Sequence, residues 1–306
     1  MKKPQGATAL ALLLLAITGW PACATLDQAA KLGTSMAQSR GLVTEDQTKS
    51  IVRSASAVAK TFEDITPEQE YYIGRSVGAV IVNKYKPYPN AEANDYLNLL
   101  GQTLAQASDR PETFGGYHFL ILDSEEINAF AAPGGLVFVS RGMLRCCKSE
   151  DAAAAVLAHE IGHVQLRHGL QAIDKSRLTQ ALTTLAAEGA KTFGGKDLAD
   201  LTKAFEGSIG DITSTMINNG YSRSFERQAD ADAVKILSRV GYDPNALIAM
   251  LEEMEKNLKA GGPDFAKTHP TPKSRIDDIE SLNVRGAAFS VVSARQGRFR
   301  KALGNI

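Results

Sequence analysis

Val156-Leu157-Ala158-His159-Glu160-Ile161-Gly162-His163-Val164 decides how the rest of this chain is read. Side chains four positions apart on a helix share a face, one turn above another. His159 and His163 therefore point the same way, close enough for both imidazoles to hold one metal ion. Glu160 falls between them, beside such an ion, free to take a proton from bound water. The flanks read as helix. Ser149 is an N-cap, and Glu150 and Asp151 place negative charge in the first turn, where the helix dipole favours it. Ala152, Ala155, Val156, His159, His163 and Leu166 follow three-and-four spacing, so the histidines continue an apolar stripe that faces inward. Gly162 costs roughly 1 kcal/mol relative to alanine inside a helix, which signals another backbone passing close by. The bland alternative is a pair of core histidines, but without a shared ligand each would need its own partner.

The spacing is the H-E-x-x-H signature of zinc peptidases. A catalytic zinc needs three protein ligands and an open position. The extended pattern H-E-x-x-H-x-x-G-x-x-H asks for glycine at 166 and histidine at 169; this chain has Leu166 and Gly169. His168 then reads as a cationic cap at the helix C-terminus. Ser224-Phe225-Glu226-Arg227-Gln228-Ala229-Asp230 supplies a better third ligand. Glu226 and Asp230 are one helical turn apart, and inward-facing carboxylates repel unless a cation sits beside them. Glu226 as ligand and Asp230 as the hydrogen-bond partner of a ligating histidine satisfies both. A solvated acidic face balanced by Arg223 and Arg227 is the competing reading.

Composition sets the frame. Hydrophobic residues make up 44% and charged residues 22% of 306, enough to bury a core in one large domain or two small ones. Lys plus Arg equals Asp plus Glu at 34 each, so nothing points to nucleic acid. Residues 1–24 read as a signal peptide, with basic Met1-Lys2-Lys3 ahead of an apolar run from Ala7 to Trp20. That run is short for a permanent span, which takes about 20 residues. Ala22-Cys23-Ala24 fits cleavage after Ala24. Cys23 also fits lipidation, although Trp20 and Pro21 suit that less well. The expectation is export to the periplasm of a Gram-negative-type bacterium, anchored to the outer membrane if Cys23 carries lipid. Adjacent Cys146 and Cys147 are too strained to bridge each other and make no disulfide framework.

Residues 25–65 read as a helical or linker segment. Thr66-Pro67-Glu68 opens a helix running to about Tyr85, and a second starts near Asn90 and ends before Pro111. The period then changes to two, with strands over 117–122 and 136–139 around the turn Pro133-Gly134-Gly135. His118 sits on the solvent side of the first strand. Residues 170–218 are Ala-, Thr- and Gly-rich, mostly helical, and a place for a lid. Helices follow over 224–240, 246–258 and 273–282, with a loop over 261–272. Residues 286–306 carry Arg295, Arg298, Arg300 and Lys301 without an acid and read as a solvated basic tail. No internal repeat is visible.

Several pieces come in a recognisable order: Ile127-Asn128-Ala129-Phe130-Ala131-Ala132-Pro133-Gly134-Gly135, the helix around His159, Tyr221-Ser222-Arg223 with Glu226-Arg227-Gln228-Ala229-Asp230, Gly241-Tyr242-Asp243-Pro244, and Thr268-His269-Pro270 through Arg275-Ile276. In this the chain resembles the M48 peptidases, the family of the CAAX prenyl endopeptidase and the bacterial heat-shock membrane peptidase. It is most similar to their soluble periplasmic or lipoprotein branch and to mitochondrial inner-membrane relatives. The resemblance covers about residues 66–285, read as the peptidase domain; the Cys pair and the lack of membrane helices depart from the integral members. It implies an α+β, mainly helical fold, with a zincin-type helix packed on a small antiparallel or mixed sheet. It implies one Zn2+ per chain on His159, His163 and Glu226, with Glu160 as general base. Asn128, Ala129, Phe130 and Ala131 would form the edge where an extended peptide adds as a strand.

The expected function is hydrolysis of misfolded or unassembled cell-envelope proteins. His269 and Arg275 are the candidates for steadying the oxyanion; alternatively, His269 takes the fourth metal position and holds the enzyme latent. A periplasmic chaperone-like assembly factor with rare proteolysis is the rival class. A structural zinc module is a third, although it would have no need of Glu160. Partners are expected to be polypeptide substrates, with membrane association through Cys23 or envelope proteins.

Overall fold

Pro67 at the first helical position, with Glu68 and Glu70 behind it, opens α1 (Pro67–Lys84), where proline loses nothing and acids meet the positive end of the dipole. The computed structural model describes residues 65–173, 206–257, 269–281 and 293–306. The expected signal peptide with Cys23, the segment 25–64, residues 174–205 of the expected lid, residues 261–268 of the expected loop and residues 286–292 of the expected tail lie outside them. Helix α2 (Ala91–Ala105) is capped by Asn90, whose side chain accepts from the Ala93 N–H at 3.1 Å.

The change of period gives β1 (His118–Leu122), β2 (Ala129–Ala132) and β3 (Leu136–Ser140). They form a mixed sheet in the order β1-β3-β2, with β1 parallel and β2 antiparallel to β3. The 3-10 turn Pro133–Gly135 joins β2 to β3. Both outer strands are edges, and they are treated differently. The outward amides of β1 are taken by α2: Asn98 Oδ1 accepts from Phe119 N at 2.9 Å, Asn98 Nδ2 donates to Phe119 O at 2.6 Å, and Asn94 Oδ1 accepts from Ile121 N at 2.9 Å. Asparagines one turn apart thus close one side of the sheet. On the other side, Ser140 N donates to Asn128 O at 3.0 Å. The antiparallel alternation then aims the backbone groups of Phe130 and Ala132 at β3 and those of Ala129 and Ala131 outward.

Helix α3 (Arg141–Cys146) leads into α4 (Glu150–Gln165), the metal-motif helix, whose cap Ser149 accepts from Ala152 N at 3.1 Å. The short α5 (His168–Gln171), α6 (Glu206–Ser214), a π-turn at Thr215–Asn219, α7 (Arg223–Val240), α8 (Asn245–Asn257), α9 (Pro272–Glu280) and α10 (Ser293–Leu303) complete the order. The architecture is α+β and mainly helical. Helix α4 packs on α7, α2, α8 and β2 and is buried along nearly its whole length. No helix among the described residues is long and apolar enough to cross a membrane. Cys146 and Cys147 are buried free thiols at the end of α3, both with pKa values raised by burial. His118 is exposed, as the alternation requires.

The basic tail departs from expectation. Residues 293–303 are helical and bury Phe299 and Leu303 in the core. Arg298 Nε donates to Glu150 at 2.6 Å, and Arg295 pairs with Asp151 at 3.3 Å. Glu150 is 0% exposed and needs a counter-ion, which charge counting along the chain had no means of locating.

Candidate active site

Three elements converge. Helix α4 brings His159, Glu160 and His163; α7 brings Glu226 and Asp230; the residues at the start of α9 bring His269 and Arg275. None of these seven is more than 7% exposed. Helix α7 starts at the Ser222 cap, after the π-turn and Gly220 (φ 74°), and it lies unusually close to α4. A Cβ on Gly162 would stand 3.0 Å from Ala229 O and 3.1 Å from Ala229 Cα. That approach is why a glycine interrupts the metal helix, and it brings Glu226 under the histidines.

His159 Nε2 and His163 Nε2 are 3.1 Å apart. Glu226 Oε2 lies 3.5 Å from the first and Oε1 3.4 Å from the second. Tetrahedral zinc with bonds of about 2.0–2.1 Å implies ligand-to-ligand separations of roughly 3.3 Å, so this donor set fits the ion. His269 Nδ1 stands 2.9 Å from both Glu226 oxygens. Donor atoms of all four residues lie within 4.8 Å of one another, a cluster that could hold a metal.

Each imidazole is aimed by a partner behind it. His159 Nδ1 donates to Asp230 Oδ1 at 2.9 Å. Asp230 in turn accepts from Arg275 Nε at 3.0 Å and Nη2 at 2.5 Å, and Arg275 Nη2 lies 3.1 Å from the same imidazole nitrogen. His163 Nδ1 is 2.9 Å from His168 Nδ1, and His168 Nε2 is 3.0 Å from Gln228 Oε1. Tyr221 stacks on His163 with centroids 4.5 Å apart, and Phe225 stacks on His168 at 4.3 Å. The Tyr221 hydroxyl is buried without a hydrogen-bond partner among the described residues. Arg227 grips Asp278 through Nε and Nη2 at 2.8 and 2.7 Å, which locks α9 to α7 from outside.

Electrostatics follows from burial and these contacts. Burial pushes the Glu160 carboxyl up. Burial acts the same way on Glu226, but His269, His159 and His163 outweigh it and hold that carboxyl well below the usual range. Burial and Arg275 push His159 down, yet Asp230 and Glu226 prevail and raise it to about 9. Burial keeps His163 well below its ordinary value and His168 at about 4.

The structure therefore brings together His159, Glu160, His163, Glu226, Asp230, His269 and Arg275, which the sequence separates by up to 116 positions. Asn128, Ala129, Phe130 and Ala131 lie at the edge strand that contacts α4, all buried. The outward Ala129 N–H donates to Asn128 Oδ1 at 2.9 Å. His168 is the correction. It is no cationic cap but a buried neutral ring behind His163, because α4 ends at Gln165 and Arg167, in the left-handed region at φ 56°, folds the chain back. Tyr221 and Gln228 were also missed as neighbours of His163 and His168. A third histidine five positions after His163 was the available signal for His168; Gln228 gave none.

A model described as peptidase family M48 matches residues 91–283. The beta-barrel assembly-enhancing protease of Escherichia coli (strain K12) is 31% identical over 188 residues, covering 61% of this chain and 38% of that protein. A putative beta-barrel assembly-enhancing protease of Vibrio cholerae is 28% identical over 221 residues, 70% of this chain and 44% of its own length. The mitochondrial metalloendopeptidase OMA1 of Schizosaccharomyces pombe is 36% identical over 159 residues, 50% of this chain and 42% of that protein. The chain thus spans less than half the length of each of these relatives.

Proposed function

Because the chain belongs to peptidase family M48, we propose that it is a zinc-dependent endopeptidase acting on misfolded or unassembled proteins of the cell envelope. The observation that carries this reading is the convergence of His159, His163 and Glu226 at tetrahedral ligand spacing, with Glu160 buried beside them. Zinc bound there would polarise a scissile carbonyl and acidify an attacking water. Glu160, its proton affinity raised by burial, takes the water's proton and passes it to the leaving amine. Asp230 and Arg275 keep His159 in the tautomer that presents Nε2. His269 and Arg275 are the candidates for steadying the oxyanion; Arg275 bonds to Asp230 behind His159, whereas His269 faces Glu226. His269, already in the four-donor cluster, is assigned a latent fourth position that substrate vacates.

An extended client adds to β2 through the outward backbone groups of Ala129 and Ala131, the neighbouring Asn128 and Phe130 bounding that stretch. Main-chain pairing of this kind tolerates many sequences. Because β1 is closed by Asn94 and Asn98, β2 is the edge left to serve. Residues 66–285 form the peptidase domain, behind a segment at 25–65 and a signal peptide at 1–24. The apolar run after Met1-Lys2-Lys3 supports export to the periplasm, with outer-membrane anchoring if Cys23 is lipidated. Two of the relatives are named for enhancing beta-barrel assembly, which supports a client among unassembled proteins.

The test is metal analysis of the full chain together with hydrolysis of an unfolded protein such as casein. Zinc near one per chain is expected, with activity lost to a chelator. Glu160→Gln should keep the metal and lower turnover at least about 100-fold, whereas Glu226→Ala should lose the metal. Metal-free active protein, or full turnover by Glu160→Gln, would overturn the proposal.

A further inference from the structure

Gln228 is an exposed residue of α7 with no part in the ligand set, yet its side chain ends a three-member hydrogen-bond chain that begins at the metal site. Its Oε1 lies 3.0 Å from His168 Nε2, and His168 Nδ1 lies 2.9 Å from His163 Nδ1. With its carboxamide oxygen turned to His168, as here, Gln228 accepts, which puts the His168 proton on Nε2 and leaves Nδ1 as a lone pair. That lone pair can only accept, so His163 must carry its proton on Nδ1. His163 Nε2, 3.4 Å from Glu226 Oε1 and 3.1 Å from His159 Nε2, is then bare and available to a cation.

The reverse polarity would be harmful. A donor at position 228 would make His168 Nε2 an acceptor and Nδ1 a donor. The proton of His163 would then stand on Nε2, pointing into the cluster where a lone pair is needed. The two rings cannot escape by turning, because Phe225 lies flat on His168 with planes 6° apart and Tyr221 covers His163 with planes 21° apart. His159 has the usual solution, a carboxylate behind it. His163 has a neutral relay whose direction is set at its far, solvent end.

We propose that Gln228 is a positioning residue: acting through His168, its carboxamide oxygen selects the His163 tautomer that can bind metal. This rests on the reading that His163 is a ligand, and it assigns a requirement to position 228: a hydrogen-bond acceptor.

The experiment measures zinc affinity of the full chain by competition with a chromophoric chelator, with Co2+ absorption as an independent readout of the donor set. Wild type, Gln228→Glu, Gln228→Lys, His168→Phe and the His168→Phe/Gln228→Lys double variant are compared, the fold of each metal-free protein being checked by circular dichroism. Gln228→Glu keeps an acceptor and should bind zinc within about twofold of wild type or tighter. Gln228→Lys offers only donors and should weaken zinc 10- to 100-fold, the range typical of groups that orient metal ligands. A lysine acting merely as a nearby positive charge would weaken zinc equally in the His168→Phe background. Acting through the relay, it should have no effect there. Zinc affinity unchanged in Gln228→Lys, or a lysine effect that persists in the double variant, overturns the proposal. Wild type that binds no zinc, or zinc binding indifferent to His163→Ala, would instead sink the underlying metal assignment.

Discussion

Arg167 shows how one residue's conformation can place a histidine. Left-handed backbone costs a non-glycine residue about 1–2 kcal/mol, and here it is held by ionic contact: Arg167 Nε lies 3.2 Å from Glu70. The same carboxylate pairs with Arg110 at 2.9 Å through both oxygens and accepts from Gly134 N at 3.3 Å, so it ties α1 to the turn after β2. His168, tucked under His163 by that bend, has its pKa lowered from 6.5 to about 4 by burial. Its contribution to stability is present above pH 6.5 and is lost as pH falls towards 4, because the unfolded chain takes up the proton first. Between pH 6.5 and 5 the metal-free protein should lose about 2 kcal/mol through this group. Urea unfolding at the two pH values should show a smaller loss for His168→Gln. At the same scale, His269→Ala should raise turnover several-fold if the ring holds the fourth position; a fall in steady-state rate would return His269 to oxyanion support.

Among the elements, the sheet depends on what is done with its edges. Phe119 is 2% exposed, and both its outward backbone groups bond to Asn98. Asn98→Leu should leave that buried N–H and C=O unpaired at a cost of about 2 kcal/mol or more, seen as a lower urea midpoint, and static light scattering should report association through the opened edge. Asn128 does the same for one group of β2, its side chain accepting from the Ala129 N–H. The packing of α4 against α7 is the other decisive arrangement. Gly162 was legible as a close approach, but which backbone came close was not.

For the whole unit Pro67–Ile306, the C-terminal helix is structural. Arg298 from α10, Tyr96 from α2 at 2.9 Å and Tyr242 after α7 at 2.7 Å all meet on buried Glu150. The first residue of the metal helix thus anchors three distant parts of the chain. Arg298 is half exposed, so Arg298→Ala should cost about 2 kcal/mol, below the 3–5 kcal/mol of fully buried pairs. Differential scanning calorimetry should register a lower Tm with zinc binding intact; an unchanged Tm would return this helix to the role of a solvated tail.

Local chemistry is what the sequence by itself determined. The i,i+4 spacing aligned His159 with His163 and Glu226 with Asp230, caps and prolines set the helix starts, and alternation marked β1 and β3. All of these depend on neighbours within one or two turns. Only the tertiary structure decided which helix faces which, that His168 folds back behind His163 with Gln228 beyond it, and that the basic end becomes the counter-ion of Glu150. Those outcomes arise from hydrogen bonds and charges paired across dozens of positions, and burial makes each such pairing obligatory without saying where its partner lies.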